Sequence, residues 1–228
     1  TSNWKIIIIG EIMAIDEIQK IEDTQIPKGR IDLVGIGRLG LRIGINLIQV
    51  HRGGPKVIGA FDGQKISASD IIFNMYGAKI GEYKTDFLKR LCRHDEDFRK
   101  IKSYNEYANN DNIDLINGDV VIIVIAGGNT IPTAAKIIKN AQKRGAKTIS
   151  TAGIFGFGEE NIEIKDISEF KDNPAVDELK KEGIVENHLI ITTNKLIRDM
   201  EPVTPYVLDE VANKITKHAL QLLHDKYD

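Results

Sequence analysis

The chain is poor in cysteine and in aromatic side chains, and it has neither a long apolar run nor an excess of one charge. Its 228 residues include a single cysteine, Cys92, which excludes an intrachain disulfide framework and any cysteine-based zinc cluster. Lysine and arginine number 31 against 33 aspartate and glutamate, a net charge of −2, so the basic footprint expected of a nucleic-acid binder is missing. The longest apolar stretches, such as Val120 to Ala126, fall far short of the roughly 18–20 residues that a membrane span requires. Asp16, Glu17, Glu22 and Asp23 crowd the region where a secretory leader would need an apolar core. The expectation is a reduced, cytoplasmic protein with neither nucleic acid nor membrane as a partner. With 42% hydrophobic and 28% charged residues, the balance is that of a globular domain.

The sequence alternates short apolar strands with amphipathic stretches. Ile31–Val34 reads as a buried strand, followed by Gly35-Ile36-Gly37-Arg38-Leu39-Gly40. Leu39, Ile43, Leu47 and Ile48 recur at helical spacing, and the breaker Gly53-Gly54-Pro55 is expected to stop that helix near His51. Lys56 to Phe61 is a second strand. Ser67 or Ser69 is expected to cap a short helix running to Tyr76, and Glu82 to Arg93 is a further helix. Asp119 to Ala126 is the clearest buried strand, apolar and β-branched, and Thr130 to Lys143 is the helix after it. Lys147–Thr151 and Leu189–Thr193 are later strands, and Val207 to Leu223 is a long closing helix. Such alternation predicts an α/β, Rossmann-like, doubly wound and mostly parallel sheet with helices on both faces. The expected organisation is an N-terminal segment over 1–30, a nucleotide-binding domain over 31–165, and a substrate or dimer region over 166–228 packed on the same domain.

The pattern Gly35-x-Gly37-x-x-Gly40 lies between a strand and a helix, the context that gives it chemical meaning. The first glycine permits a tight turn, the second lets a phosphate approach the backbone, and the third lets helix and strand pack closely. The helix start adds unpaired N–H groups and a positive dipole end. Asp62 ends the second strand, 22 positions after Gly40, where its carboxylate can accept from ribose hydroxyls. Together these features predict a nucleotide site. Nicotinamide dinucleotides, S-adenosylmethionine and ATP all use such a crevice.

The segment FDGQKISASDIIFNMYGAKIGEYKTDFLKRL from Phe61 onward resembles the ThiF/MoeB and ubiquitin-activating-enzyme superfamily. There the second strand runs into D-x-D-x-V-x-x-S-N-L-x-R-Q and then G-x-x-K. Asp62, Ile66, Ser69 and Ile71 fall on matching positions, and Gly81-Glu82-Tyr83-Lys84 matches the later element. The similarity spans about 31–165. It implies a homodimeric adenylyltransferase that uses ATP, with Mg2+, to convert a carboxylate into an acyl-adenylate with release of pyrophosphate. By position, Gly35, Gly37, Arg38, Leu39, Gly40, Asp62, Gln64, Lys84, Ala126 and Gly127 would bind the nucleotide. Lys84 would neutralise charge on the α-phosphate, with Arg38 as a second catalytic cation. Thr151 and Gly153, at the glycine-rich segment 153–158, would meet the acyl substrate, with Ser150 beside them. The overall likeness is to a methanogen branch that adenylylates the carboxylate of guanylylpyridinol during assembly of a hydrogenase iron cofactor.

Three departures from the superfamily pattern bear on catalysis. Its second acid is Gln64 here, its arginine is Phe73 with Asn74 beside it, and its magnesium-binding aspartate falls in Ile125-Ala126-Gly127-Gly128-Asn129. An arginine that stabilises a phosphoryl-transfer transition state is worth roughly 10³–10⁵ in rate, so a substitute is expected among Arg38, Arg90 and Arg93, while Asn129 is the candidate metal contact. Cys92 sits on an apolar-periodic helix and reads as a core or boundary residue. Without the family's thioester cysteine, the adenylate itself is the expected product, passed to an acceptor protein or a small nucleophile. His51, His94, His188, His218 and His224 are scattered without metal-ligand spacing, and only His94 lies close downstream of Lys84. The stripe Val211, Ile215, Ala219 and Leu222 is expected to pack in the core first and to offer a dimer surface second. The alternatives left open are an NAD(P)-dependent dehydrogenase and a nucleotide-binding partner protein that has lost catalysis.

Overall fold

A computed structural model describes residues 15, 17–22, 25–92 and 97–227. Seven strands form one sheet: β1 (Arg30–Val34), β2 (Val57–Phe61), β3 (Lys100–Tyr104), β4 (Val120–Ile123), β5 (Lys147–Thr151), β6 (Glu163–Asp166) and β7 (Leu189–Thr192). Their order is β3-β2-β1-β4-β5-β7-β6. All neighbours pair in parallel except β6, which runs antiparallel to β7 at the edge. The helices are α1 (Arg38–Ile48), α2 (Ile71–Met75), α3 (Lys84–Cys92), α4 (Ile131–Lys143), α5 (Pro174–Lys181) and α6 (Pro205–Tyr227).

The central strand β4 reads as an unbroken apolar run because both faces of a parallel sheet are covered. All four residues of β4 are buried. Ile31, Leu33, Ile58, Ile122 and Ile149 face one core with Leu41, Ile43 and Leu47 of α1 and Val211, Ile215 and Ala219 of α6. Val34, Val121 and Ile123 face the other, against Ala134, Ile137 and Ile138 of α4 and Val176 and Leu179 of α5. The stripe on α6 is therefore spent on the core, with Leu222 at its margin.

Several boundaries differ from the expected ones for local reasons. The fourth strand ends at Ile123 instead of Ala126, because the chain turns off the sheet once Val124 N has donated to Val34 O at 2.8 Å. The first helix ends at Ile48 with Gln49 as its C-cap, near His51 as expected. Neither Ser67 nor Ser69 caps α2. Asp70 is the residue preceding that helix, and its carboxylate accepts from Ser67 N at 2.9 Å and Ser67 Oγ at 2.8 Å.

The α1–β2 connection is built around a buried cation. Arg99, 2% exposed, donates to the carbonyls of Pro55 (2.8 Å), Ile48 (2.7 Å), Val50 (3.0 Å) and Gly53 (2.8 Å). Its fork of five donors fits this cluster of turn carbonyls, which would otherwise be desolvated without partners.

Candidate functional site

The sheet order reverses between β1 and β4, and at such a switch point the loops leaving the two strands part to form a crevice. The three glycines of the β1–α1 loop divide its work. Gly35 has φ +95°, and a Cβ there would lie 2.9 Å from the backbone C and O of Val124. A Cβ on Gly40 would lie 2.0 Å from Gly35 O. Both positions are therefore closed by backbone. Gly37, the N-cap of α1, has ordinary extended dihedrals and open space around the missing Cβ. Gly37 is thus the glycine that leaves room for an incoming group, beside the free N–H groups at the start of α1. Arg38 is exposed and Leu39 half-buried on the first turn of the same helix.

Asp62, at the end of β2, braces this loop. Its Oδ2 accepts from Ile36 N at 2.7 Å and its Oδ1 from Gln64 N at 2.7 Å. The carboxylate expected to face a ribose is also the strut that fixes the glycine loop. Each oxygen retains a further acceptor site.

A hydrogen-bonded chain continues from there to Lys84. Gln64 Oε1 accepts from Lys84 Nζ at 2.8 Å, and Asp70 Oδ1 lies 3.0 Å from the same nitrogen. Lys84 opens α3, its side chain is 6% exposed, and its ammonium stands 5.3 Å from the Phe73 ring centroid. Phe73 is fully buried and tilted against Phe87, so the residue at the superfamily's arginine position is a core anchor. Asn74 Nδ2 donates to the carbonyls of Ser67 and Ala68 and closes the turn before α2.

The candidate replacement arginines fall apart on inspection of their partners. Arg90 is held by Glu82 through two bonds of 2.9 Å and by Gly77 O at 3.2 Å, and this pairing lowers the Glu82 pKa. Arg93 and His94 lie outside the described residues. Arg38 makes no ion pair among the described residues and stands next to the open Gly37. Ala126 and Gly127 are exposed on the β4–α4 loop across the crevice. Gly127 has φ +108°, its carbonyl accepts from Thr130 Oγ1 at 2.6 Å, and Asn129 Oδ1 folds back toward it. Among the described residues no three His, Cys, Asp or Glu come together as a metal cage.

Of the residues expected to meet the acyl substrate, Thr151 is half-buried at the end of β5. Gly153 (φ +74°) is pressed against the 192–196 turn. A Cβ there would lie 2.5 Å from Lys195 O, and its carbonyl accepts from Thr193 N and Thr192 Oγ1, each at 3.1 Å. Ser150 points away from the crevice: its Oγ bonds His188 Nε2 at 2.8 Å, and Thr148 Oγ1 bonds Nδ1 at 2.7 Å. Burial pushes the His188 pKa down to about 4, so this imidazole is a neutral structural bridge between β5 and the turn before β7. The adjoining loop is tied by Glu160, which accepts from Phe157 N at 2.6 Å and Gly158 N at 2.8 Å.

Asp70 is not among the residues expected at the site. The available signal was a carboxylate at the superfamily's asparagine position, directly after Ser69.

No protein-family model matches this sequence. The fold resembles the tRNA threonylcarbamoyladenosine dehydratase TcdA of Escherichia coli in complex with AMP, with a TM-score of 0.72 at 15% identity over 88% of each chain. At that identity the likeness shows the fold alone. An uncharacterized protein of Methanocaldococcus jannaschii, MJ0693, is 41% identical over 210 residues, 92% of this chain and 83% of that one. The structure of HcgE from Methanothermobacter marburgensis, solved with guanylylpyridinol and ATP bound, is 50% identical with a TM-score of 0.84, covering 89% of this chain and 98% of that one. At this identity and coverage the chain belongs to the HcgE family of ThiF/MoeB-like adenylyltransferases.

Proposed function

We propose that this protein adenylylates the carboxylate of guanylylpyridinol, with ATP as the adenylyl donor. The observation that carries the reading is the continuous array from the open Gly37 through Asp62 and Gln64 to the buried ammonium of Lys84. It joins a phosphate cradle to a fixed cation in a chain whose relative was solved with both compounds bound. A carboxylate oxygen attacks the α-phosphorus, the bond from that phosphorus to the bridging oxygen breaks, and pyrophosphate departs with the electron pair. Lys84 meets the charge that builds on the phosphate oxygens, a role that a preorganised buried cation performs better than a solvated one. Arg38 is assigned the superfamily arginine's part because it is the uncommitted cation at the glycine loop. Asp62 takes the ribose on its remaining acceptor sites, while Leu39, Ala126 and Gly127 border the nucleotide. Thr151 and Gly153 edge the acyl side.

Mg2+ would be carried in by the nucleotide's phosphates, since Mg2+ commonly keeps its waters and takes only one or two protein ligands. Asn129, folded toward Gly127, is the nearby side chain able to offer it an oxygen. With no thioester cysteine, the adenylate is handed to an acceptor protein or small nucleophile. A homodimer in the cytoplasm completes the proposal. Because the α6 stripe is buried, we assign the dimer contact to the exposed Phe157, Met200, Val203 and Tyr206, whose segments meet at the Gly156–Val203 bridge. Sedimentation of Met200→Asp tests that assignment.

The deciding experiment is ATP–pyrophosphate exchange with guanylylpyridinol. Exchange that depends on the carboxylate, and that falls at least about 100-fold in Lys84→Met, supports the proposal. ATP binding without exchange would instead leave a nucleotide-binding partner protein.

A further inference from the structure

Lys84 already has an anion at its side, and that anion belongs to the protein. Asp70 Oδ1 lies 3.0 Å from Nζ, while Oδ2 is fixed by Ser67 N and Ser67 Oγ at 2.9 and 2.8 Å. The carboxylate is therefore held by its own turn, with one oxygen turned to the lysine. Burial tends to raise its pKa, but the Ser67 bonds and the ammonium outweigh that and lower it, so Asp70 is an anion at neutral pH. A lysine this buried needs such a partner, because an uncompensated ammonium out of water is costly.

We propose that Asp70 is a built-in stand-in for the nucleotide's phosphate: it positions Lys84 before ATP arrives, and the incoming phosphate must then share or take that ammonium. The inference rests on the reading of Lys84 as the phosphate-neutralising cation. Gln64 is neutral, so it can keep orienting Nζ throughout. Asp70 cannot do so without cost. A phosphate reaching the third ammonium proton would face the carboxylate across a single positive charge, and like charges at that separation repel. Asp70 therefore opposes ATP while keeping the empty site ordered.

This role has an unusual signature, since removing a site residue should tighten binding. Asp70→Asn keeps the shape and the acceptor for Ser67 but removes the charge, and Asp70→Ser removes it with a smaller side chain. Calorimetric titration of the full chain with ATP and Mg2+ should give a dissociation constant about five- to tenfold lower for Asp70→Asn, the worth of one charge-assisted contact. Asp70→Ser should move in the same direction. The gain should vanish in the double variant Asp70→Asn/Lys84→Met. Tightening in both single variants that depends on Lys84 supports the proposal. Unchanged or weaker ATP binding in both, with Lys84→Met still impaired, overturns it and leaves the reading of Lys84 standing. ATP binding indifferent to Lys84→Met overturns the reading of Lys84 and the proposal together.

Discussion

The separate duties of the three loop glycines can be tested by adding one methyl group at a time. In Gly40→Ala the new Cβ would sit 2.0 Å from Gly35 O and 2.9 Å from Gly35 C, both backbone atoms that cannot rotate away. Alanine gains roughly 1 kcal/mol of helix propensity over glycine, but forced overpacking costs about 1–3 kcal/mol or more, and here it pushes apart β1 and α1. With the clash this close, the cost lies at the upper end of that range and the net loss is about 2 kcal/mol, equivalent to about 4–8 °C at this chain length. In Gly37→Ala the Cβ meets nothing within 4 Å and φ is −84°. The weaker N-cap costs a few tenths of a kcal/mol, offset by lower entropy of the unfolded chain, so the melting temperature should hold within about 1–2 °C. ATP affinity should nevertheless fall about tenfold or more, because the methyl stands where a phosphate oxygen would approach the backbone N–H groups. Differential scanning fluorimetry with and without ATP reads both quantities. If Gly37→Ala melts as early as Gly40→Ala, or binds ATP as well as the unmodified chain, the division of labour argued from the Cβ geometry is wrong.

Other consequences are open to measurement. Arg99→Leu deletes four bonds to carbonyls of the α1–β2 turn and should lower stability by about 3–5 kcal/mol, read as a shift in the urea midpoint. Arg99→Lys should recover only part, because an ammonium cannot span the fork. His188 titrates near 4 in the fold against 6.5 ordinarily. A base with a depressed folded-state pKa contributes stability that is complete above 6.5 and lost as pH falls toward 4. Chemical denaturation between pH 7 and pH 4 should therefore show a steeper decline in the native chain than in His188→Gln. Arg38→Ala should slow pyrophosphate exchange by at least about tenfold with no change in melting temperature. Exchange at the native rate would remove Arg38 from the mechanism.

The parts of the fold legible in the sequence are those where one residue pattern serves one purpose. β4 announces itself because a strand covered on both faces is apolar throughout, and the glycine loop because its chain path admits no Cβ at Gly35 or Gly40. β3, Lys-Ile-Lys-Ser-Tyr, carries one buried residue in five, and the edge strand β6 has none. Such strands are specified by the neighbour they pair with and leave little trace in their own residues. The site shows the same limit. Gln64 and Lys84 could be placed through the resemblance to the superfamily pattern, but the commitment of Arg90 to Glu82 and of Ser150 to His188 arises from side chains brought together across the fold. Asp70 escaped for the related reason that its meaning lies in a lysine fourteen residues away.

Arg99 also completes the electrostatics of the helix that follows the glycine loop. α1 carries no acidic residue in its first turn and no basic residue in its last, so neither half-charge of its aligned peptide dipoles is balanced from within. The guanidinium bound to the Ile48 and Val50 carbonyls supplies the missing positive charge at the carboxyl end permanently. At the amino end the first turn carries Arg38, of the same sign as the exposed N–H groups, while the neighbouring Asp62 carboxylate is engaged by the Ile36 and Gln64 amides. One pole of the helix is neutralised by the fold itself and the other is held in deficit, so the protein keeps a standing demand for negative charge at Gly37. A nucleotide phosphate bound there, as proposed, would satisfy that demand as a structural counter-ion as well as a reactant.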